Sequence, residues 1–272
     1  MSVPKLYHYL NILSIDVVAG AMIGSLYIAK VLGVDMPIVT SLALGLTVWM
    51  IYTFDHLVDA RSHQHALVSQ RHSFHKKHFR TLRAGIIIGL ISLGVLLFSL
   101  PVATVLWGAA LGCGVLAYFF TLDMVRVKGL VHKEIMIAVI YTCGLFTGPI
   151  SLYQGQLSWS HAVLFLQFFI LALLNLVVFS FYDREFDKKA SFPSLVLSLG
   201  EYRSHLLIKA LFCLELALAA GNLLLGTAGQ VIFLGMVSLL FLIHIFRDNP
   251  FVLRHYRWIG DGVFLAPIFY LA

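Results

Sequence analysis

Residues 49–62, WMIYTFDHLVDARS, begin as sequence fit for the interior of a bilayer and end with two aspartates four positions apart, Asp55 and Asp59. A carboxylate inside a membrane helix is costly, so it marks either a helix end or a working site. Which of these applies depends on what surrounds the stretch. Hydrophobic residues make up 60% of the 272 positions and charged residues 12%, with a mean hydropathy of +0.91. A soluble domain carries about 25% charged residues. The shortage runs along the whole chain, which excludes a soluble domain on a single anchor and predicts an integral membrane protein.

A crossing helix takes about 20 mainly apolar residues. Nine such spans are read at roughly 12–33, 37–59, 84–100, 102–122, 134–153, 162–182, 205–225, 229–246 and 257–272. The runs are continuous rather than alternating, which argues against strands. The expected architecture is therefore all-α, a polytopic membrane bundle of about nine transmembrane helices, with residues 1–272 forming one domain. Pro101 separates the third and fourth spans by so short a turn that a helical hairpin is expected there. The N-terminus lacks the pattern of a cleavable signal peptide, so the first span is expected to remain as a helix. Cys113, Cys143 and Cys213 stand singly in apolar segments, and no CxxC pair suggests zinc or a disulfide framework.

The basic residues orient the bundle. Of the 19 Lys and Arg, all but Lys30 fall at the N-terminus or in the even-numbered connections. That asymmetry places the N-terminus and those connections in the cytoplasm. The net charge of +6 then belongs to cytoplasmic loops, and nucleic acid is not an expected partner.

On this count Asp55 and Asp59 end the second span at its cytoplasmic mouth. A second pair, Asp183 and Asp187, ends the sixth span at the same face, within NLVVFSFYDREFDKKASFPSL (175–195). Residues four apart share a helix face, and like charges at that spacing repel unless a cation lies between them. Hard oxygen ligands suit Mg²⁺, which keeps several waters and bridges carboxylates to phosphates. Two pairs on one side could hold Mg²⁺ against a diphosphate; ordinary charges at helix ends are the plain alternative. Arg126 and Lys128, in YFFTLDMVRVKG (118–129), and Arg184 and Lys188 suit a diphosphate or simply belong to cytoplasmic loops. Asn175 lies two turns before Asp183 on about the same face. It could reach a metal-bound water or make an interhelical hydrogen bond.

At this point the chain resembles the UbiA-type intramembrane prenyltransferases. FDHLVDARS is similar to their first aspartate motif, and YDREFDKKASFPSLVLSLGE to the second with its following segment. YFFTLDMVRVKG is similar to the stretch after the fourth helix, with Tyr118 ahead of the basic residues. The resemblance implies that Asp55, Asp59, Asp183 and Asp187 bind Mg²⁺ and an isoprenyl diphosphate at the cytoplasmic face. It implies that Arg126 and Lys128 neutralise the departing diphosphate. A lipophilic, often aromatic, acceptor in the membrane would then take the prenyl group. Ile51 and Tyr52 stand where the family has Asn or Asn-Asp, and Ser180 stands where it often has a further acid. Terpene cyclisation in the same fold, or a non-catalytic or transport-like membrane protein, are the competing readings.

Further polar residues need a place. His63, His65, His72, His75 and His78 populate the second loop, expected as a basic cap over the mouth, with a transition-metal site as the alternative. Asp16, Glu215 and Asp261 lie within or near spans, where an acid is a candidate functional group.

Overall fold

The structure is a computed structural model; it describes residues 3–62, 70–125, 133–190, 193–227 and 229–272, with side chains described at 7–58, 73–117, 133–189, 193–227 and 229–272. Every regular element among them is a helix. A short helix α1 (Val3–Ile12) turns at Ser14, whose φ of 57° is left-handed, into α2 (Ile15–Val31). α2 stops at Gly33, φ 66°. There the Val34 N–H donates to the Ala29 carbonyl at 2.9 Å and the Gly33 N–H to that of Lys30 at 3.2 Å. This left-handed cap closes carbonyls that the helix leaves open. Then follow α3 (Ile38–Ser62), α4 (Gln70–Lys77), α5 (Phe79–Leu97), α6 (Val102–Val125), α7 (Lys133–Leu152), α8 (Trp159–Ala190), α9 (Leu195–Leu199), α10 (Glu201–Leu224), α11 (Gln230–Ile245), α12 (Pro250–Val263) and α13 (Ile268–Leu271).

Five of these, within α3, α5, α7, α8 and α10, are long and apolar enough to cross a membrane, and the apolar stretches Val102–Ala117 and Gln230–Ile245 are shorter. The chain is an all-α, polytopic integral membrane protein. α8 is apolar nearly all round and accordingly runs through the centre. It is 72% buried over its apolar window, against 11% for α5. α7, α9, α10, α11 and α12 pack around it. Its Phe168, Leu171, Leu174 and Val177 join Tyr27, Leu145, Phe233 and Leu240 in one core.

Two details differ from the sequence reading. α5 and α6 are joined by the short turn at Pro101, yet α5 packs on α3 and α6 on α7 rather than on each other. Gly85 and Gly89, one turn apart, explain this. A Cβ at either would come 3.0 Å from Trp49 Cη2 or 2.9 Å from Met50 Sδ, so the small face of α5 seats α3. The second difference is at the C-terminal end. α12 begins at Pro250, where Asn249 Oδ1 accepts from the Phe251 N–H at 2.8 Å, and not near 257. From Phe264 onward, bonds three residues apart continue to Tyr270, around Pro267, which offers no N–H. The last span is thus an amphipathic helix followed by a tightened turn. Lys30 donates to the Tyr270 carbonyl at 2.7 Å and fastens that end to α2.

Candidate active site

The helix ends that carry the two aspartate motifs are both tied to the first turn of α7. Lys133 Nζ lies 3.2 Å from both carboxylate oxygens of Asp55 on α3. The next residue, Glu134, is 7% exposed and reaches the other way. Its Oε1 accepts from the Leu195 N–H at 2.7 Å and from the Ser180 hydroxyl of α8 at 3.0 Å. Successive residues of a helix point about 100° apart, which lets neighbours on α7 serve different helices.

On α8, Ser180, Asp183 and Asp187 follow at intervals of three and four, so they share a face. Asp183 Oδ1 accepts from the Tyr256 hydroxyl at 2.6 Å, and its Oδ2 pairs with the Arg257 guanidinium. Arg257 Nε also donates to the Tyr256 oxygen at 3.2 Å. These charge-assisted bonds fix Asp183 in one orientation. Tyr256 is held in turn by stacking on Tyr182, with centroids 4.3 Å apart, and Arg257 lies over the Phe179 ring. Asp187 lies near the Ser194 hydroxyl, and both Asp183 and Glu134 lie within electrostatic range of it. Asn175 is buried, and its Oδ1 has no hydrogen-bond partner among the described residues. α12 approaches it at Gly260, where a Cβ would stand 2.5 Å from that oxygen and 2.5 Å from Phe179 Cε1.

A third acidic group adjoins these. The Asn11 amide donates to Asp16 at 2.6 Å and to Asp261 at 3.1 Å, joining α1, α2 and α12. Both acids are buried. Tyr7 donates to the Trp258 carbonyl at 3.0 Å. Burial, with Asp16 and Asp261 close by, pushes its hydroxyl up to about 12, so it serves as a donor. Asp261 lies within electrostatic range of Arg257, and Tyr141 of α7 within range of Tyr52 and Asp261. Polar groups from α1, α2, α3, α7, α8 and α12 therefore converge.

Arg184, by contrast, is turned away to α10, bonding Glu201 at 2.7 Å, with Glu185 at 3.4 Å. Lys188 is exposed at the end of α8. The side chains of Asp59, His72 and Tyr118, and all of His63, His65, Arg126 and Lys128, lie outside the described residues. Glu215 is buried in a different place, accepting from Gln167 at 3.2 Å. His75, on α4, is buried with its ring 5.0 Å from that of His56 near the end of α3. Sequence reading missed Asn11, Lys133, Glu134, Tyr256 and Arg257 as site residues. An acid opening an apolar span was the available signal for Glu134.

Among the described residues no three His, Cys, Asp or Glu side chains close on one point as a metal cage. The donor set fits a different mode. Mg²⁺ keeps several waters and is bound through one or two carboxylates plus substrate phosphates. Partly exposed carboxylates at Asp55 and Asp183, with acceptor oxygens on Glu134 and Asn175 that receive no hydrogen bond among the described residues, suit a hydrated cation.

A membrane bundle with this layout has a solved counterpart. Over 98% of this chain and 98% of the other, the fold matches that of a digeranylgeranylglyceryl phosphate synthase of membranes, with a TM-score of 0.55 and 18% sequence identity. No protein-family model matches the chain, and no curated protein matches it in sequence. The fold that the aspartate motifs lead one to expect is thus the fold found.

Proposed function

We propose that the protein transfers a prenyl group, within the membrane, from an isoprenyl diphosphate to a lipophilic or aromatic acceptor, with Mg²⁺. One observation carries the reading: two aspartate-bearing helix ends are tied to consecutive residues, Lys133 and Glu134, in a fold shared with a membrane synthase. A diphosphate placed between them would meet carboxylates able to hold a hydrated divalent cation and two cations of the chain itself.

Asp55, Asp59, Asp183 and Asp187 would hold Mg²⁺, which when bound neutralises the diphosphate and eases its departure. The chain's own residues supply the rest. Tyr256 and Arg257 hold Asp183 in its orientation. Lys133 sets a positive charge beside Asp55, where a phosphate oxygen would also meet it. Charges placed where negative charge develops commonly contribute more to catalysis than any other single effect, most of all where they are held in position. The apolar wall that shields the allylic cation would come from the helices below this polar rim. The same geometry serves cyclisation, since ionisation is common to both, and the products tell them apart.

The test uses the full chain in lipid nanodiscs with Mg²⁺ and prenyl diphosphates of several lengths, reading pyrophosphate release. Release that is lost in Asp55→Ala and Asp183→Ala is expected. Neither release nor Mg²⁺-dependent diphosphate binding in the native protein would overturn the reading.

A further inference from the structure

Glu134 is a carboxylate that neither aspartate motif accounts for. Its Oε1 is fully engaged, by the Leu195 N–H and the Ser180 hydroxyl. Its Oε2 is buried and has no hydrogen-bond partner among the described residues. A buried acceptor left without a donor forfeits its hydration, and the cost is greater when the group is charged. Such a group calls for an explanation, an unplaced ion or water among them.

A structural role does not supply one. α9 has its own cap in Ser194, which accepts from the Leu197 N–H at 3.3 Å. A glutamine at 134 would accept from Leu195 and Ser180 equally well without bringing a charge into the bundle. Position points to a ligand. Ser180 opens the face of α8 that continues to Asp183 and Asp187, so the Glu134 carboxylate stands at the head of that acidic row. Leu195, which donates to Glu134, follows Ser194, whose hydroxyl lies near Asp187, and Glu134 itself is within electrostatic range of Asp187. A further acid therefore joins the row from a second helix, with one oxygen still to be satisfied.

We propose that Glu134 is a fifth carboxylate of the cation–diphosphate site, its Oε2 accepting from the water shell of a divalent cation. The assignment rests on the function proposed above. It also explains how a site without a closed cage retains a cation, because a water held by a fixed carboxylate is a ligand that the protein orients indirectly.

Mn²⁺ with inorganic pyrophosphate is the probe, titrated by electron paramagnetic resonance onto the full chain in nanodiscs. Glu134→Gln is expected to weaken Mn²⁺ binding at least about tenfold. Its thermal unfolding without metal should stay at or above the native value, because both hydrogen bonds survive. Ser180→Asp in the Glu134→Gln background, which returns a carboxylate to the same place from α8, is expected to restore part of the affinity. If Glu134→Gln fails to fold, Glu134→Asp withdraws the charge by one methylene and carries the same expectation of weaker binding. Native affinity in the folded variant overturns the assignment while leaving the functional reading intact. Absence of Mn²⁺ binding in the native protein overturns both.

Discussion

The two aspartate-bearing helix ends are built to different standards. At the end of α3, Asp55 is held by one flexible, half-exposed lysine, and the short helix α4 packs beside that element. At the end of α8, Asp183 is held by a tyrosine and an arginine that are themselves stacked and packed, and Glu134 and Asn175 stand behind it. Exposed ion pairs contribute about 0–1 kcal/mol, whereas bonded networks around a charge are worth more and fix geometry. The α8 end is preorganised and the α3 end adjustable. A site that takes a charged, greasy substrate, as proposed above, can use one wall of each kind.

Substitutions can break that contrast, most strongly at Asp183. Asp183→Asn should lower pyrophosphate release by roughly 10²–10³-fold, the scale of losing a preorganised charge. Asp55→Asn should cost less, because its partner can move; equal losses would show the two ends to be equivalent. Gly260→Ala places a methyl against Asn175 and Phe179, and should lower stability by about 1–3 kcal/mol in thermal unfolding in detergent. A variant as stable as the native protein would mean that α12 does not seat tightly on α8. Arg257→Met should cost about 1–2 kcal/mol, at the low end of charged hydrogen bonds because the side chain is partly exposed. Lys133→Met should stay below about 1 kcal/mol and weaken diphosphate binding more than it lowers stability. A larger stability loss for Lys133→Met than for Arg257→Met would invert the comparison.

The same contrast governs how much could be read from the sequence. The nearness of Asp183 and Asp187 was legible because it is local: four residues is one turn, wherever the helix goes. Spans with a charge at one end or both, such as those of α3 and α7, were read within a few residues. The third acidic group was half legible, since Asp16 and Asp261 are conspicuous in apolar sequence while Asn11, which joins them, is not. Tyr256 and Arg257 looked like loop residues because α12 is amphipathic, and inward-facing polar residues resemble a surface segment when its fold is unknown. Glu134 joins the α8 face from another helix, and no spacing along one chain segment encodes that meeting. Arg184 shows the reverse error: it is adjacent to Asp183 in sequence, yet i and i+1 point apart, and it turned to Glu201.

The first turn of α7 has a mechanical consequence. Two adjacent residues, pulling in directions about a quarter-turn apart, fasten one helix to two others. α7 is in that sense an axle carrying two spokes. A rotation of its opening turn shifts the tie to α8 directly, while the long Lys133 side chain can bend to keep its ammonium at Asp55. The axle thus keeps the rigid wall in place while its other spoke gives, so the two walls can share one helix and still move by different amounts.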